Sequence, residues 1–221
     1  MPTTPKSAET RARILAAAME LFRRQGFEQT TMREIAAEAG VAGGAAYYYF
    51  EGKDAIVLAF YEQAQDELAP LLEEALAGAR GLESQLRALL DVKLQYFAPN
   101  RRLLGALGAH ADPQDPLSPF SAQTSHIRER DIGFFDKAVT ASRLHISKDL
   151  RPHLPRILWM YQMGLILFWT YDRSPAQART RFLLDKSVAL VTRLVKLASF
   201  PPLRPVRRMV VDLMGAFVEG S

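Results

Sequence analysis

The 221 residues are 48% hydrophobic and 24% charged, enough apolar chain for one large or two modest globular cores, which excludes a disordered or fibrous protein. There is no cysteine, so a disulfide framework, a thiolate nucleophile and a Cys-ligated zinc are excluded. The formal charge is +4, but up to residue 56 the seven bases Lys6, Arg11, Arg13, Arg23, Arg24, Arg33 and Lys53 are balanced by the seven acids Glu9, Glu20, Glu28, Glu34, Glu38, Glu51 and Asp54, so net charge does not by itself argue for nucleic acid.

Met1 to Glu9 lacks the basic-then-apolar layout of a secretory signal, and a reducing, cytoplasmic setting is expected. Over residues 8 to 25, Ile14, Leu15, Ala18, Leu21 and Phe22 recur at helical spacing, and Gly26 stops the helix. Thr31-Met32-Arg33-Glu34 is a T-x-x-E capping box, in which hydroxyl and carboxylate satisfy each other's orphan amides, so a helix starts at Thr31. Its inner face is Met32, Ile35, Ala36 and Ala39. Ala39-Gly40-Val41 supplies a tight turn, with glycine where a positive φ is wanted, and a third short helix follows from about Ala42 to Phe50.

From Lys53 a long amphipathic helix carries Ile56, Phe60 and Leu68 to Pro70, which is expected to kink or end it. Further helical runs are expected at 71–79, 82–97 and 100–111. The three prolines between Asp112 and Pro119 mark a loop, after which Phe120 to Ser142 resumes helical periodicity. Leu154 to Tyr171 is apolar almost all round. It contains Gln162 and falls short of the roughly twenty apolar residues that span a bilayer, so no membrane partner is expected. The next helix begins at the S-x-x-Q box Ser174-Pro175-Ala176-Gln177 and runs to about Ala198 with a wide apolar stripe. A last helix is expected over about 205–218. No strand pattern competes, and the fold class is all-α.

Two short helices joined by Ala39-Gly40-Val41 form a helix-turn-helix over about 31–50, with a second helix short enough for a major groove about 12 Å wide. An ordinary helical hairpin has the same spacing. The local chemistry favours DNA: Tyr47, Tyr48 and Tyr49 cannot all face inward in so short a helix, and phenol hydroxyls, Lys53 and the helix N-termini at Thr31 and Ala42 suit phosphate oxygens.

These residues, from Thr10-Arg11-Ala12-Arg13-Ile14-Leu15 through Leu21, Phe22, Gly26 and Phe27, Thr30-Thr31-Met32-Arg33-Glu34-Ile35-Ala36, Ala39-Gly40-Val41, Gly44, Tyr47-Tyr48-Tyr49-Phe50 and Lys53, resemble the N-terminal domain of TetR-family transcriptional regulators without a gap. The resemblance implies an N-terminal three-helix DNA-binding domain at 8–68 and a larger C-terminal helical domain for ligand sensing and dimerisation at 69–221. It implies DNA contact at Thr31, Gly43, Gly44, Ala45, Tyr47, Tyr48, Tyr49 and Lys53. Arg33 is a further candidate, with a solvated arginine as the alternative. Where many relatives cap and arm the recognition helix with polar residues, this chain has Ala42-Gly43-Gly44-Ala45-Ala46. Each glycine costs about 1 kcal/mol against alanine in a helix, and the small side chains offer base edges almost no donors, so phosphate contacts and DNA shape are expected to carry much of the affinity.

One short recognition helix reads few bases, so a homodimer is expected through about 154–171 and 175–198, on double-stranded operator DNA with half-sites about 34 Å apart or a multiple of that. The resemblance also implies a pocket for a small apolar or amphipathic effector and repression released by it. Phe97, Leu103, Leu107, Phe134, Phe135, Trp159, Met160 and Met163, with His110, His126 and Gln162 as polar groups, suit such a pocket, although plain core is the alternative for each. The histidines His110, His126, His145 and His153 show no metal spacing, and no phosphate loop or nucleophile elbow occurs, so neither metal, cofactor nor catalysis is expected. The rival class is a helical small-molecule or lipid-binding protein without DNA affinity.

Overall fold

The computed structural model describes residues 5–108, 110, 112–200, 202, 205, 208, 209 and 212. It is all-helical among these residues: α1 (Pro5–Arg24), α2 (Met32–Glu38), α3 (Gly43–Tyr49), α4 (Lys53–Gly78), α5 (Leu82–Phe97), a 3-10 turn (Ala98–Asn100), α6 (Arg101–Leu107), α7 (Ser125–Ala141), α8 (Leu154–Tyr171), a 3-10 turn (Pro175–Gln177) and α9 (Ala178–Ala198). Apart from 205, 208, 209 and 212, the helix expected over 205–218 lies outside the described residues. The rest pack as two units, Met1–Asp66 with Phe97–Ile127, and Glu67–Tyr96 with Arg128–Ser221.

The first unit is built on the apolar stripe of α1. Ile14, Leu15, Ala18, Leu21 and Phe22 are buried as expected, together with Phe27, the inner face of α2, Ala46, Phe50, and Ile56, Val57 and Phe60 of α4. Leu103 and Leu107 of α6 and Leu117 of the following loop belong to the same core. The domain limits read from sequence put every residue after 68 in the second domain; packing groups Phe97–Ile127 with the first because of these leucines. The loop is bound by its own hydroxyls: Thr124 Oγ1 donates to the Ser118 carbonyl at 2.7 Å, and Ser118 Oγ accepts from the Phe120 amide at 3.2 Å. Side chains that bond locally in this way compete with helix, and α7 starts at Ser125 rather than Phe120.

In the second unit Leu82, Leu86, Leu89 and Leu90 of α5, Phe135 and Ala138 of α7, Leu158, Trp159 and Leu165 of α8 and Leu184 and Val188 of α9 are buried. Its interior also holds a polar group. Lys93 of α5 donates to Asp131 of α7 and, at 2.5 Å, to Gln162 of α8, while Gln162 Nε2 donates to Asp131 at 2.7 Å. Their exposures are 3%, 7% and 2%. Burial pushes the Lys93 ammonium below its ordinary value, and the Asp131 carboxylate opposes that shift. The Phe135 ring covers the ammonium at 4.8 Å.

Two expectations are corrected. α4 does not end at Pro70, one of the two outcomes expected there, but continues through it to Gly78. Leu68 and Leu72 on either side are buried on one face, whereas Pro70 and Asp66 are exposed, so the carbonyl that loses its intrahelical donor is within reach of water. The S-x-x-Q box does not form either. Ala176 and Gln177 take positive φ of 49° and 53°, and α9 begins at Ala178. Asp172 and Ser174 cap it together: Ser174 Oγ accepts from the Arg179 amide at 3.0 Å, and Asp172 accepts from the Thr180 amide at 2.9 Å, the Thr180 hydroxyl and Ser174. These hydrogen bonds hold its carboxyl well below the usual carboxylate range.

Candidate nucleic-acid interface

The element expected to meet DNA is assembled from local chemistry. Thr31 caps α2: its hydroxyl accepts from the Glu34 amide at 3.2 Å, and Glu34 Oε2 accepts from the Thr31 amide and hydroxyl, each at 2.8 Å. The Thr31 amide and hydroxyl hold the Glu34 carboxyl below its ordinary value. The C-terminus of α2 closes as a Schellman turn, with Gly40 at φ 65°, its amide donating to the Ala37 carbonyl and the Val41 amide donating to the Ala36 carbonyl at 3.0 Å.

α3 then runs seven residues without a side-chain cap on Ala42, and only Ala46 of it is buried. A Cβ at Gly43 or Gly44 would meet nothing within 4 Å. Tyr47 and Tyr48 are 58% and 83% exposed. Tyr49 is half-buried against the core and meets the Tyr48 ring edge-on at 5.1 Å, and Ala45 is half-buried. Arg33 is exposed one residue into α2 and makes no ion pair among the described residues. Gly43, Gly44, Tyr47 and Tyr48 thus stand together on the open side of α3, while Thr31 and Arg33 lie at the start of α2.

Lys53 stands apart from these. Its Nζ donates to the carbonyls of Phe27 at 2.7 Å and Glu28 at 3.2 Å and lies over the Phe27 ring at 4.6 Å. An expected phosphate donor therefore has two of its protons committed within the fold. Sequence spacing also left Arg11 and Arg13 outside the apolar stripe of α1 with no assigned role. Arg13 Nη2 donates to the Ala39 carbonyl at 2.7 Å, and the Arg11 guanidinium covers the Phe50 ring at 4.7 Å.

The expected pocket residues fall in both units. Leu103 and Leu107 are core of the first, with Phe97 packed against it. There His110 contacts Asp115 and the edge of Phe27, and His126 is exposed beside Glu62 at 3.4 Å. Phe134 and Trp159 are buried in the second unit and Met163 is half-buried there. An open cleft of about 830 Å³ in the second unit lies between the end of α8 and the start of α9, lined by Leu167, Phe168, Tyr171 and Arg173 among others and by none of the expected pocket residues. Among the described residues no cluster of His, Asp and Glu is arranged for a metal, and no helix is long and apolar enough to cross a membrane.

Residues 85–213 match the model of the tetracyclin repressor-like C-terminal domain, and residues 14–60 match that of bacterial regulatory proteins of the tetR family. The chain belongs to the TetR family. It is 37% identical over 89 residues to the HTH-type transcriptional regulator SrpR of Pseudomonas putida, covering 40% of this chain and 42% of SrpR. It is 36% identical over 100 residues to the probable acrEF/envCD operon repressor of Escherichia coli, covering 43% and 44%. The matched segments thus span less than half the length of these two relatives. The fold is similar to that of Thermus thermophilus FadR, a TetR-family repressor solved with lauroyl-CoA, at a TM-score of 0.59 and 27% identity, covering 81% of this chain and 92% of that one. It is also similar to Salmonella enterica GusR, at a TM-score of 0.64 and 21% identity, covering 87% and 98%. Described members of the TetR family are transcriptional regulators rather than enzymes.

Proposed function

We propose that this chain is a cytoplasmic DNA-binding transcriptional regulator, a dimeric repressor that leaves its operator when a small amphipathic effector binds. The observation that carries the reading is α3, an externally presented helix whose glycines leave its backbone open to close approach and whose Tyr47 and Tyr48 are exposed. In this reading residues 8–68 meet DNA, with Thr31, Arg33, Gly43, Gly44, Ala45, Tyr47, Tyr48, Tyr49 and Lys53 at or behind the contact surface, and residues 69–221 sense and dimerise. Tyrosine hydroxyls and backbone amides address phosphates, so register and DNA shape, more than base-edge bonds, set the preferred site.

Dimerisation is supported by apolar side chains left outside the core on two consecutive helices: Leu167, Phe168 and Tyr171 on α8, and Phe182, Leu190, Leu194 and Leu197 on α9. A surface of this kind is costly to leave in water and suits a self-complementary two-fold interface. The amphipathic effector is supported by the lauroyl-CoA held by the Thermus thermophilus relative.

The decisive experiment selects an operator from a random duplex library with the wild-type protein, then titrates Tyr47→Phe and Tyr48→Phe against it at fixed salt. Each loss of a phosphate-bound hydroxyl is expected to weaken binding about three- to tenfold. Failure of the wild-type protein to enrich any duplex would favour a helical ligand-binding protein without DNA affinity.

A further inference from the structure

The recognition helix has few means of holding itself in place. α3 is seven residues long, begins with two glycines in open space and follows an alanine that offers its first-turn amides no side-chain oxygen. A helix of that length is marginal on its own.

α1 holds the turn that leads into α3 from outside. Arg13 Nη2 donates to the Ala39 carbonyl at 2.7 Å and reaches the Gly40 carbonyl at 3.4 Å, the two carbonyls of the reversal that aims α3. Both are acceptors at the end of α2 with no intrahelical donor. Two residues earlier, the Arg11 guanidinium lies over Phe50, the residue that follows α3 and is itself buried in the core. One arginine fixes the chain entering α3 and the other covers the anchor leaving it.

We propose that Arg13 is a positioning residue for operator recognition: by binding the Ala39 and Gly40 carbonyls it caps the C-terminal end of α2 and fixes the turn that aims the uncapped α3, with Arg11 steadying Phe50 at the far end. The proposal rests on the reading of α3 as the element that meets DNA. Nη2 of the guanidinium is committed to these carbonyls, and in this proposal Arg13 acts through the orientation of α3 rather than through a phosphate contact of its own.

The test uses the full-length protein and its selected operator, measuring affinity at several salt concentrations for wild type, Arg13→Ala, Arg13→Lys, Gly44→Ala and the Arg13→Ala/Gly44→Ala double variant. Arg13→Ala is expected to weaken binding about tenfold with the slope of log affinity against log salt unchanged, because no phosphate contact is lost. Arg13→Lys, which retains a donor of similar reach, recovers part of the loss. Gly44→Ala, which raises the helix propensity of α3 directly, improves binding more in the Arg13→Ala background than in wild type, and the double-mutant cycle isolates that coupling from any clash of the new methyl with DNA. Wild-type affinity in Arg13→Ala, a salt slope reduced by about one, or an additive cycle each overturns the proposal. Absence of wild-type binding would instead overturn the reading of α3. Should Arg13→Ala fail to fold, the slope and affinity of Arg13→Gln, which keeps a neutral donor, decide: a slope reduced by about one makes the residue a phosphate contact, and an unchanged slope with partial affinity sustains the positioning role.

Discussion

The ammonium of Lys53 and the carbonyl of Phe27 lie 2.7 Å apart, and the ring of Phe27 sits beneath the same ammonium. The first residue of α4 is thereby tied to the loop between α1 and α2 that leads into the capped helix. Lys53→Met is expected to destabilise the first unit by about 1 kcal/mol and to weaken operator binding with the salt slope retained. Thermal melting with a salt-dependent titration checks both, and a slope lowered by about one with unchanged melting would make Lys53 a phosphate contact instead.

Thr31→Ala removes the hydroxyl half of the capping box, with an expected loss of about 1 kcal/mol. Glu34 has a folded value held below its ordinary 4.5 by bonds from Thr31. An acid lowered in this way contributes stability above its ordinary value and loses that contribution as pH falls through the folded value. The gap between wild type and Thr31→Ala should therefore narrow on acidification. Urea unfolding at about pH 7 and about pH 3 measures it, and an equal gap at both would dismiss the coupling.

Lys93→Met leaves Asp131 and Gln162 buried without their cation, which is expected to cost about 3–5 kcal/mol. Replacing the whole group, as in Lys93→Met/Asp131→Leu/Gln162→Leu, should recover most of that loss, because no unpaired charge remains. Denaturant unfolding of the two variants distinguishes them, and a triple variant as unstable as the single one would contradict the account.

Leu190→Glu/Leu194→Glu places two charges on the exposed stripe of α9, where the leucines are 56% and 52% exposed. Light scattering should then report a monomer with the unfolding midpoint of the individual chain little changed. A persistent dimer would remove α9 from the interface.

The parts of this structure that were legible in sequence are those governed by short-range rules. The α1 stripe, the Thr31–Glu34 box, the glycine at the Gly40 reversal and the limits of α5 and α8 follow from neighbours within four residues of one another. The misjudged or unassigned parts depend on partners far along the chain or on a choice between competing bonds. Lys53 finds carbonyls twenty-five and twenty-six residues away, and Arg13 finds Ala39 twenty-six residues away. Pro70 is carried through by the burial of Leu68 and Leu72, and the hydroxyls of Ser118 and Thr124 win a segment that periodicity assigned to helix. At the start of α9, the Asp172 carboxylate takes the Thr180 amide and Ser174 takes the Arg179 amide, a shared cap that the S-x-x-Q spacing does not describe. In the candidate interface, the exposed tyrosines were readable because three in a row cannot all turn inward, whereas nothing local marked the two arginines behind them.

The first unit draws on two stretches of chain, because Leu103, Leu107 and Leu117 complete a core otherwise made from residues before Asp66. A fragment cut after Asp66 would present the side chains those leucines cover to water and would aggregate or melt early. The helix-turn-helix of this protein is accordingly not a cassette to be transplanted by a single crossover: a chimaera that keeps its DNA preference must inherit residues 97–127 along with the N-terminus.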